Sequence, residues 1–137
     1  AWARSRSINN RQRGSFSSFA LALMLIHVLQ RRPCPLLPSL QDLAITQNLP
    51  PLFLQGTDCR FCGDLPQIHL HLAELQKSCG PNEESLGELL LEFFRYFGYV
   101  YETGVIAIRD ISSFTPRFEP GQSFYVVDNP FEPTKDV

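Results

Sequence analysis

Two strongly apolar segments alternate with polar and proline-containing stretches along the chain, and they predict its main helices. The first covers residues 17–30, where apolar side chains occur on nearly every side, as is typical of a helix buried in a core. The second begins at Ser85, which forms a capping box with Glu88 ahead of apolar positions spaced three and four residues apart. One face of this helix would carry Leu86, Leu89, Leu90, Phe93, Phe94 and Phe97.

Weaker patterns predict the elements around these two helices. Residues 2–7 are typical of the end of a helix, and residues 40–48 and 68–77 favour two short helices on either side of a loop that contains proline, glycine and cysteine. Gly98 is expected to end the second long helix. The first is expected to end before three prolines, which are Pro33, Pro35 and Pro38.

Two short β-like runs follow the second long helix. Residues 105–108 and 124–127 are apolar and rich in β-branched side chains, and the pair Pro120-Gly121 lies between them. We expect the two runs to pair antiparallel and residues 128–136 to form a proline-stiffened loop. The predicted fold class is therefore α+β, mainly α, with a small antiparallel β element.

Composition and charge narrow the classes of protein. The 137 residues are 44% hydrophobic and 19% charged, which is enough for one domain with a core. The net charge of -2 argues against a protein whose whole surface holds nucleic acid. Near the start of the chain a basic patch has two interpretations, a site for a phosphate-bearing ligand or a solvated surface. Its members are Arg4, Arg6, Arg11 and Arg13.

The first apolar segment lacks the properties of a targeting or membrane segment. It falls short of the roughly 20 residues that span a bilayer. Arg31-Arg32-Pro33 stand where a signal peptide needs small residues for cleavage, and the four cysteines lack the spacing of a disulfide scaffold. We expect an intracellular protein without a membrane partner and, because residue 1 is alanine, a fragment of a longer chain.

A zinc-stabilised interaction module is one alternative, since the thiolates of Cys59 and Cys62 with the imidazoles of His69 and His71 can complete a tetrahedron. The two histidines would share a face only on a strand, however, and no second Cys-x-x-Cys pair occurs. Unpaired loop thiols are the simpler interpretation, and we expect no metal ion bound by these residues.

The segment before the first long helix combines hydroxyl and aromatic side chains at a helix N-terminus. Ser17 or Ser18 can cap the helix by accepting a hydrogen bond from a first-turn amide, and the remaining amides and the helix dipole favour an anion. This pattern allows a nucleotide phosphate site, and it also starts many helices that bind nothing. The segment reads Gly14-Ser15-Phe16-Ser17-Ser18-Phe19.

Seven motifs in a fixed order extend this observation over nearly the whole chain. They are Trp2-Ala3, Ile8-Asn9, the 14–19 segment, Leu36-Leu37-Pro38-Ser39-Leu40, Ser85-Leu86-Gly87-Glu88-Leu89-Leu90 with Phe93-Phe94, Val105-Ile106-Ala107-Ile108-Arg109, and Pro130-Phe131-Glu132. Together they resemble the central domain of noncanonical poly(A) polymerases and terminal uridylyltransferases, including its PAP-associated segment. Residues 41–81 are the part that matches poorly.

The resemblance implies a DNA polymerase β-like nucleotidyltransferase that adds AMP or UMP, from ATP or UTP, to an RNA 3′ end and releases pyrophosphate. Mg²⁺ or Mn²⁺ would be held by carboxylates of a palm domain, which the resemblance places before residue 1. This chain would then bind the nucleotide without supplying catalytic carboxylates. Residues 1–81 would form the helical part with a variable loop region, and residues 82–137 the PAP-associated helix, strands and nucleotide-recognition loop.

The resemblance also assigns nucleotide-binding residues by position. Phe19 matches an aromatic residue, usually tyrosine, that stacks on the incoming base, and a phenyl ring keeps the stacking face. Ser18 matches a serine that contacts the triphosphate, and Arg4 matches a lysine with the same role. The base-facing positions of the recognition loop are Asn129, Glu132, Lys135 and Asp136.

Two questions stay open on the sequence. Many uridylyltransferases have aspartate where this chain has Asn129, and where it has Lys135 they have a histidine that is associated with choosing uracil over adenine. The preference for ATP or UTP is therefore undecided. The second question is whether the protein is an enzyme or a catalytically inactive RNA-binding or scaffold relative that kept the helical domain.

Overall fold

The computed structural model describes residues 2–10, 12, 14–101, 104–109 and 126–136, with the backbone alone at residues 2 and 132–136. Helices predominate and short strands accompany them, as the predicted α+β class requires. In chain order the elements are α1 Trp2–Ser5, α2 Ser18–Arg31, α3 Leu40–Thr46, β1 Phe53–Leu54, β2 Thr57–Asp58, α4 Leu65–Leu75, α5 Leu86–Arg95, a π-helix Tyr96–Val100, β3 Val105–Ile106, β4 Val126–Asn129 and β5 Glu132–Asp136.

The central helix is α2, and side chains fix both of its ends. Ser17 is its N-cap, because the Ser17 Oγ accepts a hydrogen bond from the Ala20 amide at 2.9 Å. Arg32 follows the last residue and forms ion pairs with Glu84 and, at 3.1 Å, with Glu92. The end of α2 is therefore tied to α5 and to the segment before it.

The main core lies where α2 meets the π-helix and the β3–β4 pair. Its buried members are Ala20, Leu23, Met24, Val28, Phe97, Ile106 and Val127. A smaller second core lies between α3 and α4, and its buried members are Leu43, Ala44 and Cys62. Both α2 and the strand that leads into residues 128–136 therefore pack into the same core.

The pairing of β3 with β4 was predicted with the wrong direction. The two strands are parallel, with Ile106 opposite Val127, whereas the sequence analysis expects an antiparallel pair. The intervening residues 107–125 exceed the dozen or so that a crossover between parallel strands needs. The predicted turn at Pro120-Gly121 and residues 124–125 of the second run lie outside the described residues.

Residues 126–136 form a β-hairpin, and the prediction of a loop over residues 128–136 is wrong. β4 and β5 are antiparallel, with Asn129 opposite Glu132. Pro130 and Phe131 make the turn, where the Phe131 amide donates to Asn129 Oδ1 at 3.1 Å. Proline does not exclude a strand here, because Pro133 lies in β5, which is an edge strand of its sheet.

The start of α5 follows the prediction, whereas its end does not. The Ser85–Glu88 capping box is present, with the Ser85 amide donating to Glu88 Oε2 at 2.7 Å. Gly98 does not end the helix, because it lies within the π-helix and lacks the positive φ that glycine supplies at a helix end. Such a φ occurs at Gly104 instead.

The predicted apolar face of α5 is only partly buried. Phe97 lies in the main core and Phe93 packs against it. Leu86, Leu90 and Phe94 are exposed. Phe93 and Phe97 therefore hold the end of this face against the main core, while Leu86, Leu90 and Phe94 are open to solvent in the described part of the chain.

Candidate functional site

Ser18 and Phe19 are the first two residues of α2, and both are exposed. Phe19 keeps 46% of its surface accessible, and Ser18 Oγ accepts a hydrogen bond from Asn9 Nδ2 at 3.2 Å. Ser17 caps the Ala20 amide. The amides of Ser18 and Phe19, in contrast, donate to no acceptor within the described residues. Two open amides at the positive end of a 14-residue helix form a site suited to an anion.

Arg4 lies in α1, and the chain after it returns to the start of α2. The Ile8 amide donates to the Ala3 carbonyl at 3.1 Å, which folds the segment back, and Asn9 then contacts Ser18. Arg4 is exposed, and no carboxylate within the described residues pairs with its guanidinium. An exposed cation on a segment that returns to the start of α2 is favourable for a phosphate, and the role of Arg4 stays a prediction.

The β4–β5 hairpin carries the other predicted site residues. Asn129 is half-buried at the end of β4, and Glu132, Lys135 and Asp136 lie in β5. The register places Glu132 opposite Asn129 and Asp136 opposite Asp128. The structure thus brings Asn129 and Glu132 onto facing strands, and the base-facing role of all four residues stays a prediction.

The main core holds both halves of the candidate site. Ala20, next to Phe19, and Val127, two residues before Asn129, have no exposed surface and belong to this one cluster. β3 and β4 both pack against α2. The start of the helix and the β4–β5 hairpin therefore extend from one packed body, although they lie at opposite ends of the sequence.

His27 is a buried residue of this body that the sequence analysis does not single out. Its Nδ1 lies 2.8 Å from the Ala107 carbonyl oxygen and 3.2 Å from Arg31 Nε, an acceptor and a donor that compete for this one nitrogen. Its Nε2 lies 3.2 Å from the Tyr96 hydroxyl oxygen. Burial, with a smaller contribution from nearby Arg31, lowers the pKa of His27 to about 4 against the raising effect of the Ala107 carbonyl. A lone histidine within an apolar run is the signal that could have found it.

The residues of the zinc alternative are distributed over different surroundings. His69 and His71 lie in α4, a helix, where residues two apart point to different sides. Cys62 is buried in the second core, and Cys59 lies beneath the β4–β5 turn. Within the described residues no group of three or more His, Cys, Asp or Glu side chains could hold a metal ion.

Comparison with known proteins finds a family model and several relatives that resemble the chain. Residues 85–135 match the family described as Cid1 family poly A polymerase. The chain is 34% identical over 99% of its length to the poly(A) RNA polymerase cid13 of Schizosaccharomyces pombe. It is 32% identical over 91% to terminal uridylyltransferase 7 of Homo sapiens, and 33% identical over 97% to the poly(A) RNA polymerase GLD2 of Homo sapiens. It spans 23%, 8% and 26% of the lengths of these three relatives.

A solved structure shares the fold. A protein described as a cytoplasmic RNA terminal U-transferase matches 98% of this chain and 42% of its own, with a TM-score of 0.71 at 22% identity. The two proteins therefore share an α+β architecture. The match of residues 85–135 and the relatives support the resemblance to noncanonical poly(A) polymerases and terminal uridylyltransferases that the seven ordered motifs indicate. No described helix is both long enough and apolar enough to cross a membrane.

Proposed function

We propose that the whole protein adds nucleotides to RNA 3′ ends without a template, and that this chain holds the incoming nucleoside triphosphate. The observation that carries the proposal is the shared core, which attaches the open start of α2 and the β4–β5 hairpin to one body. The relatives support it, since they are named poly(A) RNA polymerases and a terminal uridylyltransferase. Residues 1–81 and 82–137 are proposed as the helical and PAP-associated parts, which share this core.

Each residue has a stated role in this proposal. The Phe19 ring stacks on the base, where half of its surface is accessible. The Ser18 hydroxyl and the two open amides of α2 donate hydrogen bonds to the triphosphate, and Arg4 adds a forked, permanently charged donor. The edge of the base is read from the hairpin by Asn129, Glu132, Lys135 and Asp136.

Magnesium, or manganese, is part of the proposed reaction because it neutralises the charge of the transferring phosphate. The described residues of this chain do not fit such an ion, since they contain no suitable group of carboxylates. The proposal therefore assigns the metal to carboxylates of a palm domain in the whole protein. This chain is assigned the binding and orientation of the nucleotide.

The proposal is tested with the whole protein, an RNA primer, magnesium and each of the four nucleoside triphosphates in turn. We expect the primer to lengthen with ATP, with UTP or with both, read as a ladder on a denaturing gel. Absence of extension with every nucleotide would reject the proposal and favour the inactive RNA-binding or scaffold relative. Omitting the metal is the control, and it is expected to abolish extension.

Substituting Lys135→His is expected to raise the share of UMP in the product. Lysine offers only donors to the base, whereas histidine has a planar ring with a fixed direction for its hydrogen bond. Asn129 also contributes, because its Oδ1 accepts from the Phe131 amide and its NH₂ group is the end of the amide that can donate to a base. Competition among all four triphosphates, followed by sequencing of the added tails, measures the ratio.

Lys77→His is the matched control for this change. Lys77 is exposed, pairs with the nearby Glu74 and lies outside the hairpin. It should leave the composition of the tails unchanged. An unaltered ratio in the Lys135→His protein would show that this position does not choose the base.

A further inference from the structure

We propose that residues 52–62, called the brace below, position the turn of the β4–β5 hairpin and thereby help to select the nucleotide base. The brace lies within the part of the chain that matches the family motifs poorly. Its role would be indirect, because it would act through the turn rather than touch the nucleotide. The inference rests on the proposed function of the hairpin.

The first observation is the contact between Cys59 and the turn. Cys59 is 5% exposed, and its Sγ lies 3.9 Å from the Phe131 carbonyl oxygen and 3.5 Å from the Thr57 carbonyl oxygen. The Cys59 amide donates to the Leu52 carbonyl at 2.7 Å, which fixes its own backbone. A packed side chain on a fixed backbone therefore lies directly under Phe131.

The second observation is a link from the brace to the strand beside β4. Arg109, which follows β3, donates from Nη2 to the Asp58 carbonyl oxygen. The Arg109 carbonyl in turn accepts from Ser39 Oγ at 3.2 Å, next to α3. Because β3 pairs with β4, the brace is attached to the sheet on two sides, at the turn and beyond β3.

Internal hydrogen bonds make the brace stiff. Asp58 Oδ2 accepts from Arg60 Nε at 2.6 Å, and Asp58 Oδ1 accepts from the amides of Arg60 and Leu52 at 3.1 and 3.3 Å. Arg60 Nη1 also donates to the Leu49 carbonyl at 2.8 Å. Partial burial acts to raise the pKa of Asp58, but these bonds outweigh it and the pKa lies below its usual value. The carboxylate therefore stays charged and paired at neutral pH.

The far end of the brace is fixed in the second core. The Cys62 amide donates to the Leu40 carbonyl at 2.9 Å, and the Cys62 side chain is fully buried against Leu43 and Ala44. The brace thus connects a buried anchor at Cys62 with the turn at Phe131. A displacement of the brace near Cys59 would be transmitted to the turn rather than absorbed by a free loop.

The turn is a sensitive place for such a displacement. Phe131 lies between Asn129 and Glu132, two of the predicted base-facing residues, and its amide holds Asn129 Oδ1. A shift of the Phe131 backbone would move both residues relative to a base stacked on Phe19. Selectivity between bases rests on hydrogen bonds of fixed direction, so it is expected to change before binding is lost.

Two buried cysteines of the brace provide a matched test in the whole protein. Cys59→Leu adds bulk beneath Phe131 and is expected to change the ratio of kcat/KM for UTP to that for ATP by about fivefold, mainly through KM. Cys62→Leu adds the same bulk in the second core and is expected to destabilise the protein without changing the ratio. An unchanged ratio in Cys59→Leu, or an equal change in Cys62→Leu, would overturn the proposal.

A second pair of variants tests the proposal if the leucine variants do not fold. Arg109→Ala removes the link to Asp58, and Arg32→Ala removes an arginine paired with Glu84 and Glu92 at the end of α2. The Arg109 variant is expected to change the same ratio by about threefold and the Arg32 variant to leave it unaltered. Equal ratios in both variants would overturn the proposal.

Failure of the proposed function would be recognised separately, because the unsubstituted protein would then extend no primer. Positioning of the turn would still be measured by hydrogen exchange at the Phe131 amide. That exchange is expected to be faster in Arg109→Ala than in Arg32→Ala, since only the former releases the brace from the sheet. Equal exchange rates would refute the positioning role of the brace even if the protein showed no catalysis.

Discussion

Replacing Phe19 with alanine is expected to lower kcat/KM for the nucleotide by about 5- to 150-fold, because stacking of a base on an aromatic ring is worth about 1–3 kcal/mol. The ring lies at the exposed start of α2, beside two open amides. Its loss should raise KM more than it lowers kcat, since the contact orients the nucleotide before chemistry. Primer extension at varied nucleotide concentration measures both constants.

Tyr99→Ala is the matched control for this experiment. Tyr99 lies in the π-helix, is 88% exposed and has no role in the proposed site or the brace, so its removal should leave both constants near their original values. Phe19→Tyr should retain activity, because the phenol ring keeps the stacking face and adds a hydroxyl. Full activity of Phe19→Ala would show that this ring is not the platform for the base.

Lowering the pH from 6.5 towards 4 is expected to destabilise the fold through His27. The pKa of the buried imidazole is about 4 in the folded protein, compared with 6.5 when it is exposed. Between these values the unfolded chain binds the additional proton, so the free energy of unfolding falls as the pH falls. The loss approaches about 3 kcal/mol across the interval.

The structural reason is the position of the ring between two elements. Protonation would put an N–H on both ring nitrogens, so that Nδ1 could no longer accept from Arg31 Nε, and it would place a positive charge near Arg31. Urea unfolding at a series of pH values measures the effect, and His27→Gln should remove this part of the pH dependence. His69→Gln, at an exposed position, is the control. Equal slopes for the unsubstituted and His27→Gln proteins between pH 5 and 6.5 would contradict the assignment.

Local signals predict the helices well because each is encoded by nearby residues. The cap at Ser17, the box at Ser85 and Glu88, and the apolar periodicity between and after them involve contacts within one or two turns. Gly98 shows the limit of this reasoning. A glycine at this position is typical of the end of a helix. Here Phe97 packs into the main core, and the helix continues through Gly98 as a π-helix.

The strands were harder to predict because their partners are distant in sequence. Two apolar runs are compatible with either direction of pairing, and the parallel pairing of β3 with β4 depends on how both pack against α2. Pro130 and Pro133 favour a loop by local rules, yet one lies in a turn and the other in an edge strand. The brace was not predicted, because its contacts with Phe131 and Arg109 join residues that are 72 and 51 positions apart in the sequence.

Local sequence patterns are enough to predict the mainly helical α+β class, the two principal helices, the resemblance to this family and the candidate residues for nucleotide binding. These follow from the order of motifs and from short-range periodicity, which need no knowledge of distant contacts. The folded structure is needed to show that Phe19 and the hairpin extend from one core, that His27 is buried between elements, and that Cys59 lies under the turn. Packing between distant segments decides these points, and burial together with hydrogen bonds across the fold fixes them.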